Sequence, residues 1–337
     1  MYYSSLKVLH YKDKLDSLES DKPITAPIHI RIKPTNICNH KCYYCSYQNS
    51  YGQLGKDMNV GDVMPYDKLK EIMADCEDMG VKAVTFSGGG EPLLHPDIAE
   101  IIDNTTVKTA VLTNGICLKD EIAEVVADKC SWVRISVDGY DKKSYSKYRG
   151  CPERDYVNLI KNVQEFKKDK CRLGVNIIVD SGNIGHIAEM VKLWSWLGAN
   201  IKLSPAIVSN DSKVNNIYHG KLMPIFKSQI AKVETELYNS YHTQLEGFEK
   251  EYEWCPYVQI LPIIGADCKV YVCHDKAYNN DGVLGDISEQ SFKEFWFNGK
   301  DKFFKVNPSV HCRHHCVTDK TNKMVLEYLR VEHKEFV

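Results

Sequence analysis

The chain is 337 residues long, 43% hydrophobic and 26% charged, with 43 Lys and Arg against 45 Asp and Glu for a formal net charge of −2. These values fit an ordinary globular protein, and 20 Gly with 12 Pro exclude a collagen-like or low-complexity chain. The near-neutral balance offers no broad basic field for nucleic acid, no run of about 18 apolar residues exists to span a membrane, and the amino terminus lacks the apolar core of a signal peptide, which predicts a cytoplasmic protein.

At roughly 150 residues per domain the length suggests about two domains. After an N-terminal extension (1–26), strands are predicted at 28–33 (IHIRIK), 81–87 (VKAVTFS), 109–113 (TAVLT), 132–137 (WVRISV), 172–179 (RLGVNIIV) and 200–203 (NIKL). Helices are predicted between them at 66–79, 96–103, 119–128, 154–168 and 184–197. Six βα units with apolar strands predict an α/β fold, a parallel sheet covered by helices over 27–210. In such sheets the loops beyond the carboxyl ends of the strands carry the chemistry, and every conspicuous polar motif here follows a predicted strand. Residues 209–217 (SNDSKVNNI) read as a polar linker, and one or two helices are predicted over 220–250, within a helical linker region (211–254). From 255 to 320 the chain is cysteine-bearing, with strands predicted at 258–264 and 269–273 and a helix at 289–297, a small α+β unit. The tail (321–337) is predicted helical.

Thirteen cysteines are present. An odd count without a signal peptide argues against a disulfide framework, so reduced thiols are available for metal. Cys76, Cys117, Cys130, Cys151 and Cys171 are isolated and read as small core residues. Cys38-x3-Cys42-x2-Cys45 sits in the loop after the first predicted strand. Three close thiolates can hold three corners of a cubane iron–sulfur cluster and leave one iron open; a zinc knuckle completed by His40 or a distant ligand is the alternative. Ser87-Gly88-Gly89-Gly90-Glu91-Pro92 follows the second strand. Its glycines let a ligand approach the backbone, and Glu91 offers a carboxylate for an amino group.

Together CNHKCYYC and SGGGEP resemble the radical S-adenosylmethionine (SAM) superfamily, with its C-x3-C-x-aromatic-C loop and GGE motif. The resemblance covers about residues 27–210 and implies a partial (β/α)6 TIM-like barrel. It implies that Cys38, Cys42 and Cys45 bind a [4Fe–4S] cluster, that SAM chelates the open iron, and that Gly88, Gly89, Gly90 and Glu91 meet the methionine amino group. Tyr44 is the aromatic residue before the third cysteine. Thr113 and Ser136, at strand ends, and Arg149, suited to the SAM carboxylate, resemble further SAM contacts; Asp138 and Asn114 also read as turn residues. The implied chemistry is one-electron cleavage of SAM to a 5′-deoxyadenosyl radical, which removes a hydrogen atom from the substrate. It implies an external one-electron donor of flavodoxin or ferredoxin type.

Five cysteines remain: Cys255, Cys268, Cys273, Cys312 and Cys316. Cys255-x17-Cys273 with Cys312-x3-Cys316 resembles the twitch domain, a shortened SPASM extension, which implies a second, auxiliary [4Fe–4S] cluster on those four; zinc is the alternative. Two features depart from the pattern: Cys268 stands where glycine is usual, and the last pair is C-x3-C. Cys268 reads either as a turn residue or as a hydrogen-atom donor to a substrate radical, and Asp275 as a proton acceptor. His311, His314 and His315 flank the last pair. The expected function is dehydrogenation or epimerisation of a small polar substrate, a sugar, sugar nucleotide or aminocyclitol. The alternative is peptide or protein modification, against which the short segment before the first strand leaves no room for a leader-binding domain.

Overall fold

The computed structural model describes residues 4–47, 55–209, 211–241, 250–312 and 316–336. His314 and His315 lie outside these, as do parts of the predicted linker and its helices. Six strands form the frame: β1 (His29–Ile32), β2 (Ala83–Phe86), β3 (Lys108–Thr113), β4 (Cys130–Ser136), β5 (Arg172–Val179) and β6 (Asn200–Pro205). They pair in chain order, all parallel, with helical crossovers between them, as parallel neighbours require. This is the expected partial (β/α)6 barrel.

The register sorts the side chains. Ile30, Ile32, Val84, Phe86, Val133, Ile135, Val175 and Ile177 are fully buried on the face that meets the helices, while their alternates point into the barrel lumen. The helix Tyr66–Met79 covers β1 and β2 with Leu69, Ile72, Met73 and Cys76, an i, i+3, i+4, i+7 stripe. It stops at Gly80, whose φ of 76° closes a left-handed cap on Cys76 O.

Several elements differ from expectation. A helix at Lys142–Arg149 was not predicted; its signal is the capping box of Asp141 and Ser144. The helix Ser212–Ile230 begins inside the predicted linker because Asp211 caps it, accepting from Lys213 N at 2.8 Å. The predicted strand 258–264 is instead a helical turn, Tyr257–Ile260, and a two-residue strand β8 (Ile263–Ile264), as β7 (Leu237–Asn239) already lies beside β6. Pro256 starts that turn and Pro262 removes a ladder donor.

β8 pairs parallel with β1, and β9 (Lys269–Tyr271) and β10 (Val283–Asp286) continue antiparallel. The order is β10-β9-β8-β1-β2-β3-β4-β5-β6-β7 in one ten-stranded sheet. The joint is hydrogen-bonded: Arg31 N donates to Pro262 O at 3.1 Å and Lys33 N to Ile264 O at 2.8 Å. The two cysteine groups therefore hang from neighbouring parts of one sheet. Among the described residues no helix is long and apolar enough to cross a membrane.

Candidate cluster and cofactor site

The loop bearing Cys38, Cys42 and Cys45 leaves the carboxyl end of β1 and lies against the glycine run that follows β2. Gly90 N donates to Thr35 O at 3.2 Å and Glu91 N to Ile37 O at 2.8 Å. A Cβ on Gly90 would sit 2.1 Å from Ile37 O, and one on Gly89 would sit 2.2 Å from Asn36 Oδ1. Only bare backbone lets the two loops approach so closely; the glycines seat the cysteine loop as well as exposing main chain. From the other side Lys41 N donates to Arg149 O at 2.9 Å, and Gly150, at φ 56°, turns the chain where a Cβ would meet Lys41 O at 2.3 Å.

All thirteen cysteines are free. Burial pushes the Cys38 thiol up to about 12 and raises Cys42 as well. Thiols in this setting stay protonated near neutrality unless a bound cation stabilises the thiolates, which suits a metal cluster. His40 Nδ1 accepts from Arg149 Nε at 3.3 Å, and Nε2 lies 3.5 Å from Asp155. Both ring nitrogens thus face groups other than the three thiols, and His40, Cys151 and Asp155 bring three potential ligand atoms together beside them.

Glu91 is 2% exposed. It accepts from Thr113 Oγ1 at 2.6 Å, Asn114 N at 2.7 Å and Leu93 N at 3.2 Å. Burial raises its carboxyl against the pull of these bonds. A carboxylate has about four lone-pair sites, so one remains for an ammonium group. Asn114 Nδ2 donates to Asn39 Oδ1 at 2.6 Å, tying the β3 loop to the cysteine loop.

Arg149 is nearly buried and is held by Asp138. Its Nη1 lies 2.9 Å from Asp138 Oδ2 and donates to Tyr44 OH at 2.8 Å; Tyr44 OH in turn donates to Asp138. The other oxygen of Asp138 accepts from Ile178 N at 2.7 Å. Asp138 is therefore more than a turn residue: it joins the cysteine loop, β5 and the helix Lys142–Arg149. Asp180 acts similarly one strand on, accepting from the hydroxyls of Tyr43 and Tyr148. Its pattern is visible only in three dimensions. Ser136, half-buried, ends β4 opposite Asn176 in β5.

The four thiols of Cys255, Cys273, Cys312 and Cys316 converge on one pocket, lined also by Lys250 and Lys276. Asn322 Nδ2 donates to Cys255 Sγ at 3.3 Å, and Cys316 Sγ lies 3.2 Å from Thr318 Oγ1. Burial pushes Cys255 up to about 12 and Cys316 to about 11. Four convergent thiols, amide and hydroxyl partners and two lysines fit an anionic thiolate-bound cluster. Cys268 is not among them. It occupies the β8–β9 turn with φ 57°, donates from its N to Gly265 O at 3.0 Å, and lies in electrostatic range of Lys68, Asp267, Asp286 and Asp62. Asp275 follows Cys273 and lies in electrostatic range of Arg31 and Lys33.

Between the two cysteine groups lies a contact that sequence reading missed. Tyr47 OH is 3.1 Å from His274 Nδ1, and the fully buried Lys33 donates to the same hydroxyl. Tyr47 stands two residues after Cys45 and His274 one after Cys273. The charged alternates of IHIRIK were the available signal for Lys33.

Residues 32–193 match the model of the Radical SAM superfamily; this part of the chain is a radical SAM domain. The domain binds SAM at a [4Fe–4S] cluster. A protein of Methanocaldococcus jannaschii named "Probable GTP 3′,8-cyclase" is 31% identical over 180 residues, 52% of this chain and 57% of its own length. The chain spans about half the length of the curated relatives it matches first. Among solved structures, SuiB of Streptococcus suis bound to precursor peptide SuiA superposes with a TM-score of 0.61 at 18% identity, covering 88% of this chain and 71% of SuiB. The anSMEcpe protein with bound AdoMet gives 0.59 at 17% identity, covering 90% and 97%. At these identities the two share the fold with this chain.

Proposed function

We propose that this chain is a radical SAM enzyme whose Cys38, Cys42 and Cys45 hold the SAM-binding cluster, and that it dehydrogenates or epimerises a small polar substrate such as a sugar, sugar nucleotide or aminocyclitol. The observation that carries the substrate reading is the polar lining of the lumen beside the strand ends. Ser204 Oγ donates to Asn176 Oδ1 at 3.1 Å and lies 3.2 Å from Ser240 Oγ, and Ser136 shares the face of Asn176. These hydroxyls and the amide suit a hydroxyl-rich ligand.

When bound, the cluster with SAM supplies a 5′-deoxyadenosyl radical to an unactivated C–H bond. The protein's own part is placement. Gly88, Gly89 and Gly90 expose main chain, and Glu91 keeps acceptor capacity for the methionine ammonium. Thr113 fixes Glu91, while Asp138 and Tyr44 orient Arg149 for the SAM carboxylate; Ser136, at the end of β4, would be a further contact. Cys255, Cys273, Cys312 and Cys316, in the unit of residues 255–320, would hold the auxiliary cluster. In dehydrogenation Asp275 would take the proton of the substrate radical, and the group held by the four thiols would supply the acceptor for its electron. In epimerisation the substrate radical would instead regain a hydrogen atom from a thiol, for which Cys268 is the candidate, leaving a thiyl radical that one electron from the external donor and one proton would return to the thiol. A flavodoxin- or ferredoxin-type donor would supply the initiating electron.

The second reading, peptide or protein modification, rests on the likeness to SuiB in its complex with a precursor peptide. The test is anaerobic incubation of the reconstituted protein with SAM and reductant in deuterated water, against panels of sugar nucleotides, aminocyclitols and peptides. A small product two hydrogens lighter and free of deuterium is expected for dehydrogenation, and one with a single deuterium for epimerisation. Turnover of peptides alone would overturn the small-substrate reading.

A further inference from the structure

One buried cation stands beside both cysteine groups. Lys33 follows the last residue of β1 and is fully buried. Its Nζ donates to Tyr47 OH and sits 3.9 Å from the centre of the Tyr47 ring and 5.3 Å from that of Tyr278. Two aromatic rings and a hydroxyl make a cage for an ammonium group. Tyr47 OH lies 3.1 Å from His274 Nδ1 and donates to His274 O at 3.2 Å. The hydroxyl that holds Lys33 therefore also ties the residue after Cys273 to the segment after Cys45. The place is tightly packed: a Cβ on Gly55 would come within 2.8 Å of Tyr47 Cδ1, and Lys33 N is fixed on Ile264 O at 2.8 Å. Cys45 and Cys273, one thiol from each group, both lie in electrostatic range of the ammonium, as do Arg31 and Asp275. Burial first, then Arg31, push it well below its ordinary value, while Cys45, Asp275 and Cys273 raise it.

A buried ammonium is costly unless negative charge stands close to it. Clusters bound by thiolates carry such charge, and reduction adds to it. We propose that Lys33 sets the reduction potential of both clusters at once: held by Tyr47, its ammonium favours the reduced form of the cluster on Cys38, Cys42 and Cys45 and of the one on Cys255, Cys273, Cys312 and Cys316, and it offsets the repulsion between them. The inference rests on the reading that each cysteine group holds a cluster. Potentials of such clusters follow net charge, burial and the hydrogen bonds around the sulfurs, and a fixed charge in a dry interior acts more strongly than one in water. Lys33 acts on the clusters through space and Tyr47 acts through Lys33, so both are positioning residues. The Tyr47–His274 contact keeps the cation at the same place relative to both groups. An exposed lysine on either loop would favour one cluster alone and be screened by solvent.

The test is a redox titration of the reconstituted protein followed by electron paramagnetic resonance, with SAM added to tell the first cluster's signal from the second. In Lys33→Met, which keeps the stem and removes the charge, both midpoint potentials should move negative while iron per chain equals the native value. A unit charge about 10 Å away, at an effective dielectric constant of about 20, changes a one-electron equilibrium about ten-fold, and that factor corresponds to about 59 mV. Tyr47→Phe keeps the charge and removes its acceptor. It should move both potentials in the same direction by less, and it decides the question if Lys33→Met takes up no iron. Native potentials in iron-replete Lys33→Met, or in Tyr47→Phe where the lysine variant stays empty, would overturn the proposal. A shift confined to one cluster would also overturn it, because the cation would then serve one site. The native protein separates the two levels: about four irons and a single cubane signal would remove the auxiliary cluster and the shared role with it, whereas two native signals that the variants leave unmoved would remove this inference alone.

Discussion

The two thiol sites share one sheet and one kind of ligand, yet they are built oppositely. Cys38, Cys42 and Cys45 come from a single eight-residue loop pinned between the glycine run and the Arg149–Gly150 turn. Cys255, Cys273, Cys312 and Cys316 come from three distant segments and close on a pocket of their own. Three thiols leave one coordination position for a substrate or cofactor, whereas four satisfy the metal centre from the protein alone. On the proposed reading, ligand number would separate a site built to react from one built to hold or relay an electron.

The sharpest way to break that comparison is to empty the first site. In Cys38→Ala/Cys42→Ala/Cys45→Ala, iron should fall from about eight to about four per chain, as expected for loss of one of two cubanes, and 5′-deoxyadenosine formation should fall to background. Metal analysis with a SAM-cleavage assay checks both. A native value of about four falling to none would make the C-terminal cysteines a zinc site. The converse variant, Cys312→Ala, should also lose about four irons, while the paramagnetic signal that responds to SAM persists. Loss of that SAM response in Cys312→Ala would mean that the two sites are not independent.

A smaller effect is expected where the first site is held by charge. Asp138 is fully buried and the Arg149 side chain 7% exposed. Arg149→Met strands the Asp138 carboxylate, an uncompensated buried charge that costs about 3–5 kcal/mol. Urea unfolding of the apoprotein measures it, and Asp138→Asn/Arg149→Met should recover part of the loss. If the single variant is as stable as the native chain, the Arg149–Asp138 pair does not anchor the cysteine loop.

The asymmetry also explains what could be read in the sequence. The first site is local: its cysteines, glycines and Glu91 lie in two short motifs at strand ends, and the six strands announce themselves as apolar runs. The second is visible only as a count of thiols, because it depends on β8 joining β1, and the apolar run 258–264 reads as one strand although Pro256 and Pro262 break it into a turn and a two-residue strand. The helix Lys142–Arg149, rich in Lys, Ser and Tyr, had too few aliphatic residues to show a period; its capping box was the better signal. Lys33 was in plain sight as a charged alternate in IHIRIK, but its place beside both thiol groups depends on β8 joining β1.

The smallest effect should come from the fifth C-terminal thiol. Cys268 is buried in a left-handed turn between β8 and β9, in electrostatic range of Lys68, Asp267, Asp286 and Asp62, and does not line the four-thiol pocket. Cys268→Ala keeps a Cβ of the same demand on φ and removes one buried sulfur, so the stability change should be about 1 kcal/mol, typical of a small core truncation. Iron per chain should equal the native value in metal analysis. A loss of about four irons would place Cys268 among the cluster ligands and displace one of Cys255, Cys273, Cys312 and Cys316. If iron is unchanged but deuterium incorporation from solvent disappears, the thiol acts on the substrate radical, which would require the β8–β9 turn to approach the lumen during turnover.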